Sequence, residues 1–253
     1  MSRFINELKR LSQAGNQPIG FKASPAALPK LKMTLLAALA GVGKLADDYA
    51  AGADAGLVSV SASSSAQVQK VCREMSNIPW GGWLQEGGEG AESAVEAGCD
   101  FIVFPPDTAL AMLKKDVGRV LAVGASVGEG LLRAVNELPV DAVLIPAEPG
   151  EGYRLTWQHL MLFRRSADLL AKPLLAQAPP EVSADELQAL WEAGVVGVVV
   201  AVDDRSRGRI AELRKVINGI SFPAPGRKRK LTPLVPYIAE REEVAAEEEE
   251  EEE

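Results

Sequence analysis

One junction recurs along this chain and constrains its fold more than any other feature. It reads AAGADAGLVSVS at 50–61, EAGCDFIVFPP at 96–106 and EAGVVGVVVAV at 192–202, with a weaker copy, ELPVDAVLIPA, at 137–147. In each strong copy a helical stretch stops at a glycine: Gly52, Gly98 or Gly194. Glycine there takes the left-handed conformation that closes a helix C-terminus. A β-branched run follows within two or three residues. Each copy therefore spells helix, turn, strand.

Plainer strand candidates lie between the copies: PIGFKA (18–23), PWGGWLQ (79–85), RVLAVGA (119–125) and KPLLAQA (172–178). Together they make eight. Their runs are apolar without strict alternation, as strands covered on both faces should be. Helix starts are marked too. Ser126 with Glu129 and Ser183 with Glu186 fit the capping box, and Asp107 stands where an N-cap belongs. Strands alternating with helices imply parallel βαβ units, and eight units imply a closed (β/α)8 TIM barrel. An open doubly wound sheet is the architectural alternative. The segment LKMTLLAALAG, Leu31 to Gly41, admits helix or strand and is read as helix; a strand there would shift the first unit.

The 253 residues suit one such barrel, since α/β barrels use about 250 residues as a single domain. Residues 1–220 are assigned to the barrel, opening with an amphipathic N-terminal helix, MSRFINELKRL. Residues 221–239 form a Pro-rich basic linker, packed on the barrel or mobile. Residues 240–253 read as a disordered polyglutamate tail. The net charge of −8 belongs to that tail. Glu240 to Glu253 holds ten Glu against one Arg, or −9. The other 239 residues carry 26 Lys plus Arg against 25 Asp plus Glu, or +1. A near-neutral body is not a nucleic-acid binder by composition. The basic cluster Arg227 to Lys230 reads as a solvated linker or a partner for the tail.

Two cysteines, Cys72 and Cys99, and one histidine, His159, make no zinc pattern. The charged N-terminus is not a signal peptide, and the longest apolar stretch, Met33 to Val42, is too short to span a bilayer. A cytoplasmic protein without a membrane partner is expected.

Barrel enzymes work at the C-terminal ends of their strands, so the polar residues there are the candidates. Lys22, Glu86 and Glu148 are the catalytic candidates. Ser59, Ser61, Gln85, Gln177, Arg205 and Arg207 are the ligand-binding ones. Gln85 and Gln177 would reach a ligand from opposite sides of the mouth, or sit in a buried polar layer. Glu86, Asp107, Glu148 and Asp203 could converge on Mg²⁺, which prefers oxygen ligands, or serve as caps and solvated loop residues. No metal ligand set is assigned, and no cofactor is required. Trp80 and Trp83 flank Gly81-Gly82 as an aromatic wall or as barrel filling. His159 reads as structural.

Several stretches carry a family resemblance. FKASP (21–25) and LADDYAAGADAGLVSVS (45–61) resemble the first two strands of indole-3-glycerol-phosphate synthase, and residues 147–202 share its layout over strands six to eight. The opening MSRFINELKRL is similar to the start of the tryptophan synthase alpha chain. The resemblance implies a phosphate-binding barrel. Lys22 falls where the synthase family has a substrate-binding lysine. The family's other groups are missing: a glutamate is replaced by Gly20, and PWGGWLQ lacks the strand-three lysine. VLAVGA lacks the strand-five glutamate, and LIPAEPG the strand-six asparagine. The phosphate turns are replaced by Ala178-Pro179-Pro180 and Val202-Asp203-Asp204, and proline has no amide hydrogen for a phosphate. Synthase activity is not expected.

Two functions remain open. One is a lyase or isomerase on a small anionic metabolite, phosphorylated or carboxylic. Lys22 would hold the anion, Glu86 or Glu148 would move protons, and Arg205 or Arg207 would replace the lost phosphate turn. The other is a non-catalytic barrel, a binding module or complex subunit that pairs with its own copy or another protein. It predicts a plugged mouth and an exposed apolar patch elsewhere.

Overall fold

The computed structural model describes residues 2–13, 32–39, 51–60, 78–84, 86–113, 116–147, 153–203, 206 and 208–222. Eight parallel strands close into a barrel: β1 (Thr34–Leu39), β2 (Ala55–Val60), β3 (Trp80–Leu84), β4 (Phe101–Phe104), β5 (Gly118–Ala122), β6 (Ala142–Ile145), β7 (Leu174–Ala178) and β8 (Val195–Val202). β8 pairs with β1 from Thr34↔Gly197 to Leu39↔Val202, which completes the ring and excludes the open sheet. The helices among the described residues are α1 (Arg3–Gln13), α2 (Ala91–Glu96), α3 (Glu129–Ala134), α4 (Trp157–Leu169), α5 (Ala184–Glu192) and α6 (Arg209–Gly219).

Strands two to eight lie where the sequence places them, and Gly52, Gly98 and Gly194 have φ of 92°, 88° and 96°. The first unit is corrected. β1 lies inside Leu31–Gly41, read as helix, and PIGFKA lies outside the described residues. All six residues of β1 are buried, because both its faces are covered. A strand buried on both faces shows no period of two, so Ala and Leu there leave no strand signal. Two helix starts are also corrected. The N-cap of α3 is Gly128, with no side-chain cap, so Ser126 opens no helix. Asp107 caps none either; its Oδ2 accepts the Gly87 N–H at 3.1 Å and ties the β4 loop to the β3 loop. The box at Ser183 and Glu186 is present as expected.

Side chains divide into two layers by strand alternation. Leu36, Leu57, Phe101, Val103, Val120, Leu144, Leu175 and Val199 fill the barrel interior. Their neighbours, such as Val58, Ile102, Val143, Val198 and Val200, face outward to the helix ring. Trp80 and Trp83 stand an odd number of residues apart, so they point to opposite faces and form no common wall. Trp80 joins the outer layer and Trp83 packs on the inner one. The glycines between them admit neighbours. A Cβ on Gly81 would lie 2.4 Å from the Phe101 ring.

The N-terminal end of the barrel is sealed. Phe4, Ile5 and Leu8 of α1 are buried in the interior cluster, and the Phe4 and Phe101 rings stack at 4.3 Å. Asp54, Asp100 and Asp141 stand one residue ahead of β2, β4 and β6. Asp100 accepts from Ser2 Oγ (2.7 Å), Arg3 N (2.8 Å) and Phe4 N (2.9 Å), holding the start of α1. Asp141 accepts the Arg119 N–H and pairs with Lys9 at 2.7 Å. Asp54 accepts the Leu35 N–H and pairs with Arg214 of α6. Val196, the second residue of β8, is buried where α1 lies against that strand. Phe222, beyond α6, is buried against Trp191.

Candidate functional site

At the C-terminal end the interior changes character. Continuing the inward alternation beyond the apolar layer gives Ser59 on β2, Pro105 after β4, Gly124 after β5, Pro146 after β6, and Gln177 and Ala201 on β7 and β8. Ser59 and Gln177 are half-buried, while Gly124 and Ala201 are exposed although they face the barrel axis. Among the described residues this end is therefore open. Trp83 stands beside Ser59, its partner in the β2–β3 register.

Gln177 is the best-defined polar group here. Its Oε1 accepts the backbone N–H of Ala147, just past β6, at 3.0 Å. A backbone N–H can be met only by the amide oxygen, which fixes the orientation of the group. The Nε2 amine then faces away from Ala147, and no described residue accepts from it. Tyr153 donates its hydroxyl to the Gln177 carbonyl at 3.2 Å, so the β6 loop is stapled to β7 on both sides of residues 148–152. Burial pushes the Tyr153 phenol above its ordinary range.

His159 is structural, as expected. Its Nδ1 meets the Thr156 N–H at 3.0 Å and Thr156 Oγ1 at 2.9 Å, completing a capping box at the start of α4. Its ring lies against Tyr153 and Phe163. Asp203 follows β8, and its Oδ1 accepts from Ser206 N and Ser206 Oγ, both at 2.9 Å. A carboxylate so engaged closes a turn. Among the described residues no group of three or more His, Cys, Asp or Glu could hold a metal ion.

Of the sequence candidates, the structure brings Ser59 and Gln177 to the mouth. The backbone of Glu86 opens a 3-10 turn, Glu86–Gly88, after β3, and its side chain lies outside the described set. Lys22, Ser61, Gln85, Glu148, Arg205 and Arg207 also lie outside the described residues. Lys22 is not on β1, which spans Thr34–Leu39. It precedes that strand in the sequence, and its own position lies outside the described residues. Sequence reasoning missed Ala147 and Tyr153. Nothing in a sequence marks a backbone donor that will orient an amide on the next strand.

Two surface features lie elsewhere. A cleft of about 290 Å³ at the sealed end is lined by Asn6, Lys9, Asp116 and Asp141 among others, and the Lys9–Asp141 pair spans it. On α4, Trp157 is 82% exposed and Met161, one turn later, 73%. No helix among the described residues is long and apolar enough to cross a membrane.

No protein-family model matches the sequence, and no curated protein is detectably similar to it. Solved structures do match. A variant of the tryptophan synthase alpha-subunit from the hyperthermophile Pyrococcus furiosus aligns with a TM-score of 0.57 at 16% identity, over 75% of this chain and 100% of that one. A thiamine phosphate pyrophosphorylase from Pyrococcus furiosus aligns with a TM-score of 0.56 at 13% identity, over 75% of this chain and 98% of that one. At such identities the likeness concerns the barrel fold. The layout resemblance to the tryptophan synthase alpha chain is thus carried by architecture.

Proposed function

We propose that this chain binds a small anionic metabolite, phosphorylated or carboxylic, at the C-terminal mouth and acts on it as a lyase or isomerase. One observation carries the reading. The barrel is sealed at its N-terminal end by Phe4, Ile5 and Leu8, and opens at the other end onto Ser59 and Gln177. Two structural neighbours are named as a tryptophan synthase alpha-subunit and a thiamine phosphate pyrophosphorylase, which agrees with metabolite chemistry by analogy only. In this reading Ser59 and Gln177 hold the ligand with Ser61 and Gln85. Arg205 and Arg207, on the loop after β8, hold the anion, with Lys22 as a further anion ligand. Glu86 or Glu148 moves the proton.

The test is calorimetric titration of the full chain with glycerol phosphate and with pyruvate, in wild type and in Arg205→Ala, Arg207→Ala and Lys22→Ala. Binding that weakens tenfold or more in an arginine variant supports the reading, and a loss in Lys22→Ala adds that lysine to the site. No binding of either anion overturns it.

A non-catalytic barrel is the second reading, and two observations favour it. Among the described residues, no inward-facing strand side chain is ionisable before Asp203, whose carboxylate closes a turn. The exposed Trp157 and Met161 supply an apolar patch outside the mouth. Binding without turnover, unaffected by Glu86→Gln and Glu148→Gln, would select this reading.

A further inference from the structure

The floor of the mouth has a chemistry of its own. Gln177 spends its amide oxygen on Ala147 and keeps only donors for anything above it. A group meeting those donors must be an acceptor; an ammonium or an N–H cannot. Ser59, the other described polar group on the inward face of the strands here, carries a hydroxyl, which can donate or accept. Trp83 is half-buried on β3, four strands from β7 in a ring of eight and so across the mouth from Gln177. It offers a planar apolar surface on which a flat group can lie. Exposed Gly124 and Ala201 leave room, and a Cβ on Gly124 would meet nothing within 4 Å. A charge pushed to this depth would lose water and find no counter-ion among the described inward side chains.

Resting on the reading that the mouth takes an anionic metabolite, we propose that the end of the ligand entering the barrel is an uncharged planar group bearing a carbonyl acceptor, selected by the Nε2 amine of Gln177. The ligand is therefore polarised. Its anion stays at the rim and its neutral carbonyl end goes down between Trp83 and Gln177.

Four probes separate the two claims: glycerol phosphate, phenyl phosphate, para-acetylphenyl phosphate and uncharged acetophenone. Each is titrated calorimetrically into the full chain and into Gln177→Glu. This variant keeps the oxygen that Ala147 needs and replaces the amine with a second acceptor. Its carboxylate adds a charge that finds no counter-ion at this depth, so an uncharged variant is titrated beside it. Gln177→Met, which removes both polar atoms, is that variant, and circular dichroism and the melting temperature are read for both. The expected result is that para-acetylphenyl phosphate binds wild type about tenfold more tightly than phenyl phosphate, the value of one well-made hydrogen bond. That advantage disappears in both variants, while glycerol phosphate still binds Gln177→Met. Equal affinity for the two aryl esters, or a preference that survives either substitution, overturns the carbonyl site and leaves anion binding standing. Acetophenone binding wild type but neither variant, with no ester bound, supports the floor and overturns the anion. Silence from all four overturns both.

Discussion

The side-chain oxygen of Gln177 accepts the backbone N–H of Ala147 at 3.0 Å, joining the end of β7 to the residue that leaves β6. This bond decides which way the amide points and holds the first residues of the β6 loop. Gln177→Leu removes the acceptor and leaves a half-buried N–H without a partner, at a cost of about 1–3 kcal/mol. Urea unfolding should show that loss, and amide exchange at Ala147 should quicken. Unchanged exchange at Ala147 would mean that water replaces the side chain without penalty.

Helix caps separate sequence signals that the fold uses from those it ignores. Ser183 Oγ accepts the Glu186 N–H at 3.3 Å, and Glu186 returns a bond to the Ser183 N–H at 2.8 Å. Ser183→Ala should cost about 1 kcal/mol. Ser126 has the same spacing to Glu129, yet α3 starts after Gly128. Ser126→Ala should therefore change stability by no more than about 0.5 kcal/mol. Equal losses in thermal unfolding would contradict the observed start of α3.

These cases show what was legible in the sequence. The glycine junctions located β2, β4 and β8, because a left-handed helix end followed by a β-branched run has few other meanings. β1 was not legible, because TLLAAL is buried on both faces and its identity comes from pairing with Val198 to Val202 of β8, more than 150 residues away. Ser59 and Gln177 were legible as polar residues near the C-terminal ends of apolar strands. Lys22 was tied to PIGFKA, which lies outside the described residues. The roles of Asp54, Asp100 and Asp141 were hidden because each depends on a partner distant in sequence.

Gly81 and Gly82 face opposite layers, and their tolerances should differ. On Gly81 a Cβ would lie 2.4 to 2.6 Å from three atoms of the Phe101 ring, which is stacked on Phe4. On Gly82 the nearest atoms are Ala94 Cβ at 3.1 Å and Val60 Cγ2 at 3.2 Å. Gly81→Ala should destabilise by about 3 kcal/mol, at the upper end of overpacking costs, and Gly82→Ala by about 1 kcal/mol. Denaturant midpoints in the reverse order would show that α2 yields less readily than the interior ring stack.

Two groups give the alkaline stability profile opposite slopes. Burial raises the Tyr153 phenol above its ordinary 10.0, so the unfolded chain releases this proton first. The contribution is complete below pH 10.0 and is lost as pH rises through the raised folded value. Burial lowers the Lys172 ammonium below its ordinary 10.5, outweighing the pull of Asp141. The folded chain then binds fewer protons than the unfolded one, and stability rises with pH between the lowered folded value and 10.5. Tyr153→Phe should flatten the decline above pH 10.0, and Lys172→Met should remove the rise below 10.5. Urea midpoints at closely spaced pH values test both; curves parallel to wild type would show that neither group titrates differently on folding.

Closure of the barrel by α1 should account for a large share of its stability, because this helix replaces solvent at the end of the interior core. Phe4 is fully buried and stacks on Phe101. Removing its ring leaves a cavity among residues that belong to opposite strands, which cannot collapse together without opening the sheet. Phe4→Ala should therefore cost about 3–5 kcal/mol. Asp100→Ala acts on the same helix by a different route. It leaves the packing intact but removes the acceptor for Ser2 Oγ, Arg3 N and Phe4 N, at about 2 kcal/mol. The two losses share one element, so the double variant should lose less than their sum. Full additivity in urea unfolding would mean that α1 stays docked without Asp100, with its packing and its hydrogen bonds acting independently.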